Sequence, residues 1–246
     1  MNDQINKLPS GDDPLTNKLL AALPELERSA LLAQVQPVEL SFGQVLYEPY
    51  ETITHAYFPL DTIVSLLSET IGGLAVEVGI IGQEGMMGAT ALLEKDNVPY
   101  RAVAQGEGTA LRIELKALKE LATCHAKLHG FLLRYVHALF TQITQSAVCN
   151  RFHTVEQRLA RWLLFAQERW GKDTLPWTQK FLAQMLGADR ASVAISMGKL
   201  KKAKIIRQAY GRITILKQAG LKQAACECYQ IVTAEFDDFL KHELHG

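Results

Sequence analysis

Two predicted helices joined by one glycine, in the last third of the sequence, constrain the fold more than any other segment. Thr178 is suited to cap a helix over residues 179–186, and Asp189 to cap a second helix that runs to about residue 202. Gly187 between them supplies a tight turn, because glycine tolerates positive φ without a Cβ penalty. The positions where the two helices would touch are small or apolar: Leu182, Ala183, Leu186, Val193, Met197 and Leu200. This pattern predicts a helix-turn-helix, although such a pair also occurs as a plain structural corner.

A predicted β-hairpin follows the second helix directly. Residues 205–216 read IIRQAYGRITIL, two β-rich stretches that flank a turn at Tyr210-Gly211. A hairpin in this position is a wing, and we expect Arg207 and Arg212 on it to lie near the phosphates of double-stranded DNA. Further lysines extend this basic rim: Lys201, Lys202 and Lys204.

The outward face of the second helix is expected to select the DNA sequence. At 100° per residue, Ala191, Ile195 and Gly198 lie opposite the apolar stripe, where the first two can touch thymine methyl groups. Arg190 near the amino-terminal end is placed to reach a guanine edge, a contact worth about 1–3 kcal/mol of discrimination. The other candidate DNA contacts are Thr178, Gln179, Ser192 and Lys199.

Charge is segregated along a chain whose formal net charge is zero. Residues 1–150 carry a net charge of −7, residues 151–220 a net charge of +10, and residues 221–246 a net charge of −3. A basic block on an otherwise acidic protein is typical of a surface that binds a phosphate backbone. The alternative is a solvated basic face without a ligand.

Upstream, the pattern predicts an α+β protein. Residues 15–34 favour two short helices broken before Pro24, and residues 38–113 favour short strands between Gly, Pro and Asp turns. Strands at this spacing predict a compact β-sandwich, jelly roll or β-roll.

Helical periodicity returns over residues 115–149. An apolar seam on this stretch predicts pairing with a second copy, the alternative being packing against its own β-domain; the seam comprises Leu128, Leu132, Tyr135 and Leu139. A further amphipathic helix is predicted over residues 155–169, with Arg158 and Arg161 away from its buried face.

Four units are therefore predicted: residues 1–114 with the β-roll, the dimerisation helix over 115–150, the winged helix-turn-helix over 151–220, and a helical tail over 221–246. The polar, acidic amino terminus predicts no signal peptide, and no apolar stretch approaches the ~18 residues that a spanning helix requires. We expect a cytoplasmic protein with reduced thiols and no membrane partner.

The order of these parts resembles the Crp–Fnr family of bacterial transcription regulators. The resemblance is carried by three segments, FGQVLYEPYETITHAYFPLDTIVSLL, GIIGQEGMMG and FLAQMLGADRASVAISMGKLKKAKII, and it covers about residues 19–216. It implies a cyclic-nucleotide-binding-type β-roll, a long dimerisation helix and a winged helix-turn-helix. It also implies a homodimer on a partly palindromic operator, with half-sites about one helical turn apart, and allows RNA polymerase as a further partner.

The resemblance fails where the family binds its effectors. Cyclic-AMP-binding members place a Gly-Glu pair on the ribose and an Arg-Ser pair on the cyclic phosphate, but residues 82–103 contain no Arg-Ser dipeptide. The glutamate position is Gln83 or Met86, according to the alignment, and Arg101 falls a few residues late. A buried cyclic phosphate without a paired cation is poorly stabilised, so we expect an unknown effector rather than ordinary cyclic AMP. The candidate pocket residues are Gly82, Gln83, Gly85, Met86, Gly88, Arg101 and Thr144.

No cofactor, metal or catalytic site is predicted. Oxygen-sensing members use amino-terminal cysteines, whereas the first cysteine here is Cys124. Cys226 and Cys228 are too close for the usual zinc pair. Cys124, His125 and His129 have partial metal-ligand spacing but no fourth ligand, so they are interpreted as ordinary helix residues. Cys149 and His153 lie near the predicted helix junction, where a redox or metal effector is the less favoured alternative. Two alternative functions stay open: a small-molecule sensor that acts through protein contacts without binding DNA, and an enzyme that uses the β-roll pocket.

Overall fold

The computed structural model describes residues 13–241. The polar amino-terminal segment from which no signal peptide was predicted lies largely outside this range. The chain enters through a 3₁₀ turn, Pro14–Thr16, and two short helices, α1 (Lys18–Ala21) and α2 (Glu25–Leu32). The prediction of two helices broken before Pro24 is confirmed.

Seven strands then form two facing antiparallel sheets, which confirms the predicted β-roll. One sheet has the order β1-β7-β3 and the other the order β2-β6-β4-β5. The first sheet comprises β1 (Gln36–Leu40), β3 (His55–Pro59) and β7 (Gly108–Glu114), and the second β2 (Val45–Tyr47), β4 (Val64–Glu69), β5 (Ala75–Ile81) and β6 (Arg101–Ala104). A 3₁₀ helix, Ala89–Leu93, lies between β5 and β6. Fully buried side chains of both sheets fill the core between them, as β-branched and aromatic strands require.

The predicted helix over residues 115–149 is two helices, α3 (Leu115–Cys124) and α4 (Ala126–Phe152). His125 separates the two helices, because its backbone is extended, at φ −123° and ψ 91°. Helix α4 runs three residues further than predicted and ends at His153, also extended. Within residues 13–241, every helix is too short or too polar to span a lipid bilayer.

The expected dimer seam on α4 faces the protomer's own interior. Its members are at most 3% exposed within one chain: Leu128, Leu132, Tyr135 and Leu139. The reason is that α4 packs against β5 on one side and against the last helix of the chain on the other. In this structure the seam is therefore buried within the protomer. The expectation that it pairs with a second copy is wrong, and the alternative, packing within the chain, is correct.

The carboxy-terminal part begins with α5 (Val155–Trp170) and contains the predicted winged helix-turn-helix. It comprises α6 (Gln179–Leu186), α7 (Arg190–Lys202), a small sheet of order β8-β10-β9, and two further helices. The strands are β8 (Thr174–Leu175), β9 (Ile206–Ala209) and β10 (Arg212–Ile215), and the helices are α8 (Gln218–Ala224) and α9 (Cys228–Lys241).

The prediction that Arg158 and Arg161 point away from the buried face of α5 is wrong. Each is 7% exposed, because α5 packs against α6, α7, α8 and α9 as well as against β5. The Arg158 guanidinium donates to the Leu186 carbonyl, and that of Arg161 lies 5.6 Å from the centre of the Phe165 ring.

Candidate nucleic-acid interface

The helix pair α6–α7 is set by three local interactions. The Thr178 hydroxyl accepts from the Phe181 amide at 3.2 Å, and the Asp189 carboxylate accepts from the Ser192 amide at 2.8 Å. Gly187 adopts φ +54°, the left-handed conformation that ends α6 without steric cost. Hydrogen bonds from Ser192 lower the pKa of the Asp189 carboxyl, so this capping group stays negatively charged. The charge interacts favourably with the positive end of the α7 dipole.

Helix α7 buries one face and leaves the opposite face open. Val193, Met197 and Leu200 are at most 1% exposed against the rest of the winged unit. On the outer face Ile195 is 63% exposed, and a Cβ built on Gly198 would meet no atom within 4 Å. The face predicted to enter the major groove is therefore accessible in a single chain.

Arg190 is exposed at the first position of α7, with Ala191 exposed beside it. A cation at a helix amino terminus gains nothing from the helix dipole, which has its positive end there. Its placement suits a ligand with acceptor atoms, such as the O6 and N7 of guanine.

Three other candidate contacts are already engaged within the chain. The Ser192 hydroxyl lies 2.7 Å from Asp189 Oδ2, and Gln179 Nε2 lies 3.2 Å from Gln208 Oε1. Lys199 Nζ forms an ion pair at 2.7 Å with Glu156 in the first turn of α5. These side chains can contact DNA only by exchanging or sharing their present partners.

The wing has the predicted hairpin geometry. Tyr210 and Gly211 adopt φ +49° and +72°, the positive values that a two-residue type I′ turn requires. The register pairs Arg212 with Ala209 and Thr214 with Arg207, so both arginines lie on the outer face, opposite the buried Ile213. The exposed basic rim at the end of α7 comprises Lys201, Lys202 and Lys204. The sequence indicates only a turn at Tyr210, yet its fully exposed ring forms the tip of the wing.

The loop after β5 holds most of the candidate effector-pocket residues, and other parts of the chain fill the space against it. A Cβ on Gly82 would collide with the backbone of Arg169, and one on Gly85 with the ring of Tyr135. The Tyr135 hydroxyl accepts from the Met86 amide at 3.0 Å and donates to the Met86 carbonyl at 2.9 Å. Helices α4 and α5 therefore occupy the space directly over this loop.

The remaining pocket candidates do not converge on one cavity. Gln83 Nε2 donates to the Leu60 carbonyl at 2.7 Å, and Gly88 turns the chain at φ +91°. Arg101 forms ion pairs with two glutamates of the β-roll surface, and Thr144 is exposed on α4 with its hydroxyl donating to its own helix.

Glu84 in the same loop was not singled out from the sequence, because a lone acidic residue between glycines carries no pattern. It is buried, and one of its oxygens lies 3.2 Å from Arg169 of α5. Burial raises the pKa of its carboxyl, and the Arg169 guanidinium opposes that rise. The pair ties the loop of the β-roll to the first helix of the winged part.

Comparison with known families assigns both parts of the chain. The family of Crp-like helix-turn-helix domains matches residues 157–224, and the family of cyclic nucleotide-binding domains matches residues 37–124. The chain belongs to the Crp–Fnr family. The combination of these two domains is that of a DNA-binding transcription regulator, and this Crp–Fnr protein is such a regulator.

Individual relatives agree with this assignment. Transcriptional regulator SdrP of Thermus thermophilus is 28% identical over 177 residues, which are 69% of this chain and 83% of the relative. The structure of FixK2 from Bradyrhizobium japonicum matches with a TM-score of 0.67 at 13% identity, over 78% of this chain and 98% of that chain. A putative regulator of the Crp/Fnr family from Eubacterium rectale matches with a TM-score of 0.64 at 14% identity, over 84% and 96%. At these identities the two structures support the Crp–Fnr fold alone.

Proposed function

We propose that this protein binds a partly palindromic operator as a homodimer, with α7 in the major groove and the wing on the phosphates. One observation carries the proposal: the outer face of α7 is open, begins with an exposed arginine and ends in an exposed lysine rim. Base selection falls to Arg190, with Ala191 and Ile195 against thymine methyl groups. Arg207 and Arg212 hold the register through salt-sensitive phosphate contacts.

A different face of α4 supports the dimer. Its a and d heptad positions form a stripe of partly or fully exposed residues, next to the occupied seam: Leu133, Val136, Phe140, Ile143 and Ala147. Phe140 is 62% exposed, a large apolar ring without cover in a single chain. A seven-residue apolar repeat on a 27-residue helix is the pattern of a two-stranded coiled coil.

The proposal excludes ordinary cyclic AMP as the effector. Arg101 is the sole arginine of the region that would hold the phosphate, and Glu48 and Glu69 each accept from it at 2.8 Å. The Tyr135 side chain fills the loop from the opposite side. The effector, if the protein needs one, acts elsewhere or through a rearrangement of α4, and contact with RNA polymerase stays a proposal from the family resemblance. Catalysis has no part in the proposed function.

Single-residue variants test the assignment of roles. Arg190→Ala should weaken binding to the preferred duplex by about 1–3 kcal/mol, while binding to unrelated duplexes changes little, because one base contact is lost. Arg207→Ala should weaken binding to all duplexes and reduce the slope of log K against log[salt] by about 1. Both effects are measured by fluorescence anisotropy over a salt series.

Arg112→Ala is the matched control, since it removes the same side chain from β7 of the β-roll, away from the winged unit. It should change neither affinity nor slope. An affinity that does not depend on salt, or an Arg190→Ala variant that keeps full sequence preference, contradicts the proposal. The latter result favours a sensor that acts through protein contacts.

A further inference from the structure

Three cysteines and one histidine meet where α4 ends and α9 begins. Within the described residues, the candidate ligand atoms of Cys149, His153, Cys226 and Cys228 all lie within 4.8 Å of one another. The three thiols are at most 4% exposed and form a small cluster separate from the main apolar core. The sequence brings together only Cys149 and His153, because Cys226 and Cys228 lie more than 70 residues later.

We propose that this cluster is a Cys₃His site for a single zinc ion. Tetrahedral bonds of about 2.3 Å to sulfur and about 2.0–2.1 Å to nitrogen place ligand atoms roughly 3.6–3.8 Å apart. Here the Cys149 and Cys226 sulfurs lie 3.5 Å apart, and the Cys228 sulfur lies 3.4 Å from His153 Nδ1. The longest separation must shrink by about 1 Å to reach that tetrahedral spacing.

Neighbouring groups match those that orient metal ligands. Glu227 Oε1 lies 3.1 Å from His153 Nε2, which leaves Nδ1 free to face the sulfurs. A carboxylate on the distal ring nitrogen is the usual partner of a metal-bound histidine. Gln145 Nε2 donates to the Cys228 sulfur at 3.2 Å, a bond that favours a thiolate.

Local charge also fits a site that carries a net negative charge. Three thiolates, a neutral histidine and Zn²⁺ sum to −1, and the thiol protons pass to solvent when the metal binds. Arg158 and Arg161 on α5 both interact electrostatically with Cys149, and both Nε atoms are buried without a hydrogen-bond partner. These two guanidinium groups offset the charge of the complex. Soft sulfur and imidazole ligands in a tetrahedral arrangement select zinc over harder divalent ions.

The position of the site gives it a mechanical consequence. Cys149 near the end of α4 and His153 just after it lie before the winged unit, whereas Cys226 and Cys228, the first residue of α9, lie after it. A bound ion therefore clamps both ends of residues 154–225 together. It restricts rotation about the extended backbone of His153, the joint between α4 and α5.

Metal content of the purified full-length protein tests the site without reference to DNA. The wild type should retain one zinc per chain after dialysis, and Cys226→Ser and Cys228→Ser should lose it. Cys124→Ser is the matched control, because this exposed cysteine lies outside the cluster, and it should keep its zinc. Equal zinc content in all four proteins overturns the proposal, as does a reduced wild type that holds no zinc.

Cobalt substitution keeps the test decisive if the serine variants fold poorly. Co²⁺ added to the metal-free wild type should give thiolate-to-cobalt charge transfer and the intense visible bands of a tetrahedral site. His153→Cys should retain those bands with a shift toward a four-thiolate spectrum, and Zn²⁺ should raise the melting temperature of both proteins. Weak octahedral bands, or a Cys149–Cys226 disulfide in place of bound metal under reducing conditions, overturn the assignment.

Discussion

At the scale of single residues, Glu77 is a carboxyl buried between the two halves of the molecule. It lies on β5, where the Trp162 indole donates to it at 2.6 Å and the Ser65 hydroxyl donates to its other oxygen. Burial raises the pKa of Glu77 to about 7, and those two hydrogen bonds offset the rise only in part. A proton is therefore bound more tightly in the folded than in the unfolded chain.

This raised pKa predicts that Glu77 makes the protein less stable as pH rises. The stability that the bound proton contributes is complete below the unfolded pKa of about 4.3. It is lost as pH rises through the folded pKa of about 7, because the unfolded chain releases the proton first. Glu77→Gln, which resembles the protonated form, should remove about 2–3 kcal/mol of that pH dependence. Denaturant unfolding of both proteins between pH 5 and pH 8, at steps of about one unit, measures it. Parallel curves for the two proteins contradict the assignment.

Two glycines of the winged unit predict opposite effects of the same substitution. Gly187→Ala should destabilise the protein by about 1–2 kcal/mol, because alanine is strained at φ +54° and its Cβ would lie 3.0 Å from Val76. Gly198→Ala should stabilise it by about 0.5–1 kcal/mol, because the site is helical and open. Thermal unfolding followed by circular dichroism measures both. Shifts of the same sign would be inconsistent with the turn described.

At the scale of elements, the long helix α4 carries the prediction about assembly. Phe140→Glu should convert the proposed homodimer to a monomer, because it places a charge at the centre of the exposed heptad stripe. Val148→Glu is the matched control, being an exposed apolar position on the same helix at heptad position b. Sedimentation equilibrium of the two variants measures the dissociation constant. A dimeric Phe140→Glu protein places the interface elsewhere.

Elements defined by local signals were predictable from the sequence. The bounds of α6 and the start of α7 follow from Thr178, Gly187 and Asp189, whose caps and turn involve only residues within one helical turn. The orientation of α4 was not predictable in the same way. Its repeat offers two apolar faces, and which one is buried depends on α9 and the β5 loop, far away in the sequence.

The same difference between local signals and long-range packing separates the candidate sites that were predictable from those that were not. The exposed face of α7 follows from helical periodicity, so Arg190 and Ile195 were predictable. The metal cluster and the burial of Arg158 arise only when distant segments pack together, which no local spacing encodes.

At the scale of the whole molecule, the winged half is docked on the β-roll through the three tryptophans. The Trp177 indole donates to the Gln105 carbonyl at 3.0 Å, Trp170 packs over Gly106, and Trp162 bonds Glu77. Helix α6 also packs against β5, whereas the outer face of α7 stays open. A change in the β-roll can therefore reach the winged unit through α5 or α6 without passing through the outer face of α7.

Selection of bound duplexes from a random pool by the purified full-length protein measures whether α7 selects a DNA sequence. We expect enrichment of a two-fold symmetric site, with half-sites centred about 34–36 Å apart along the duplex, one helical turn. Arg190→Ala should lose a guanine preference at the matching position of each half-site. No enrichment, or enrichment that is the same for the wild type and Arg190→Ala, would contradict the claim that α7 reads DNA sequence.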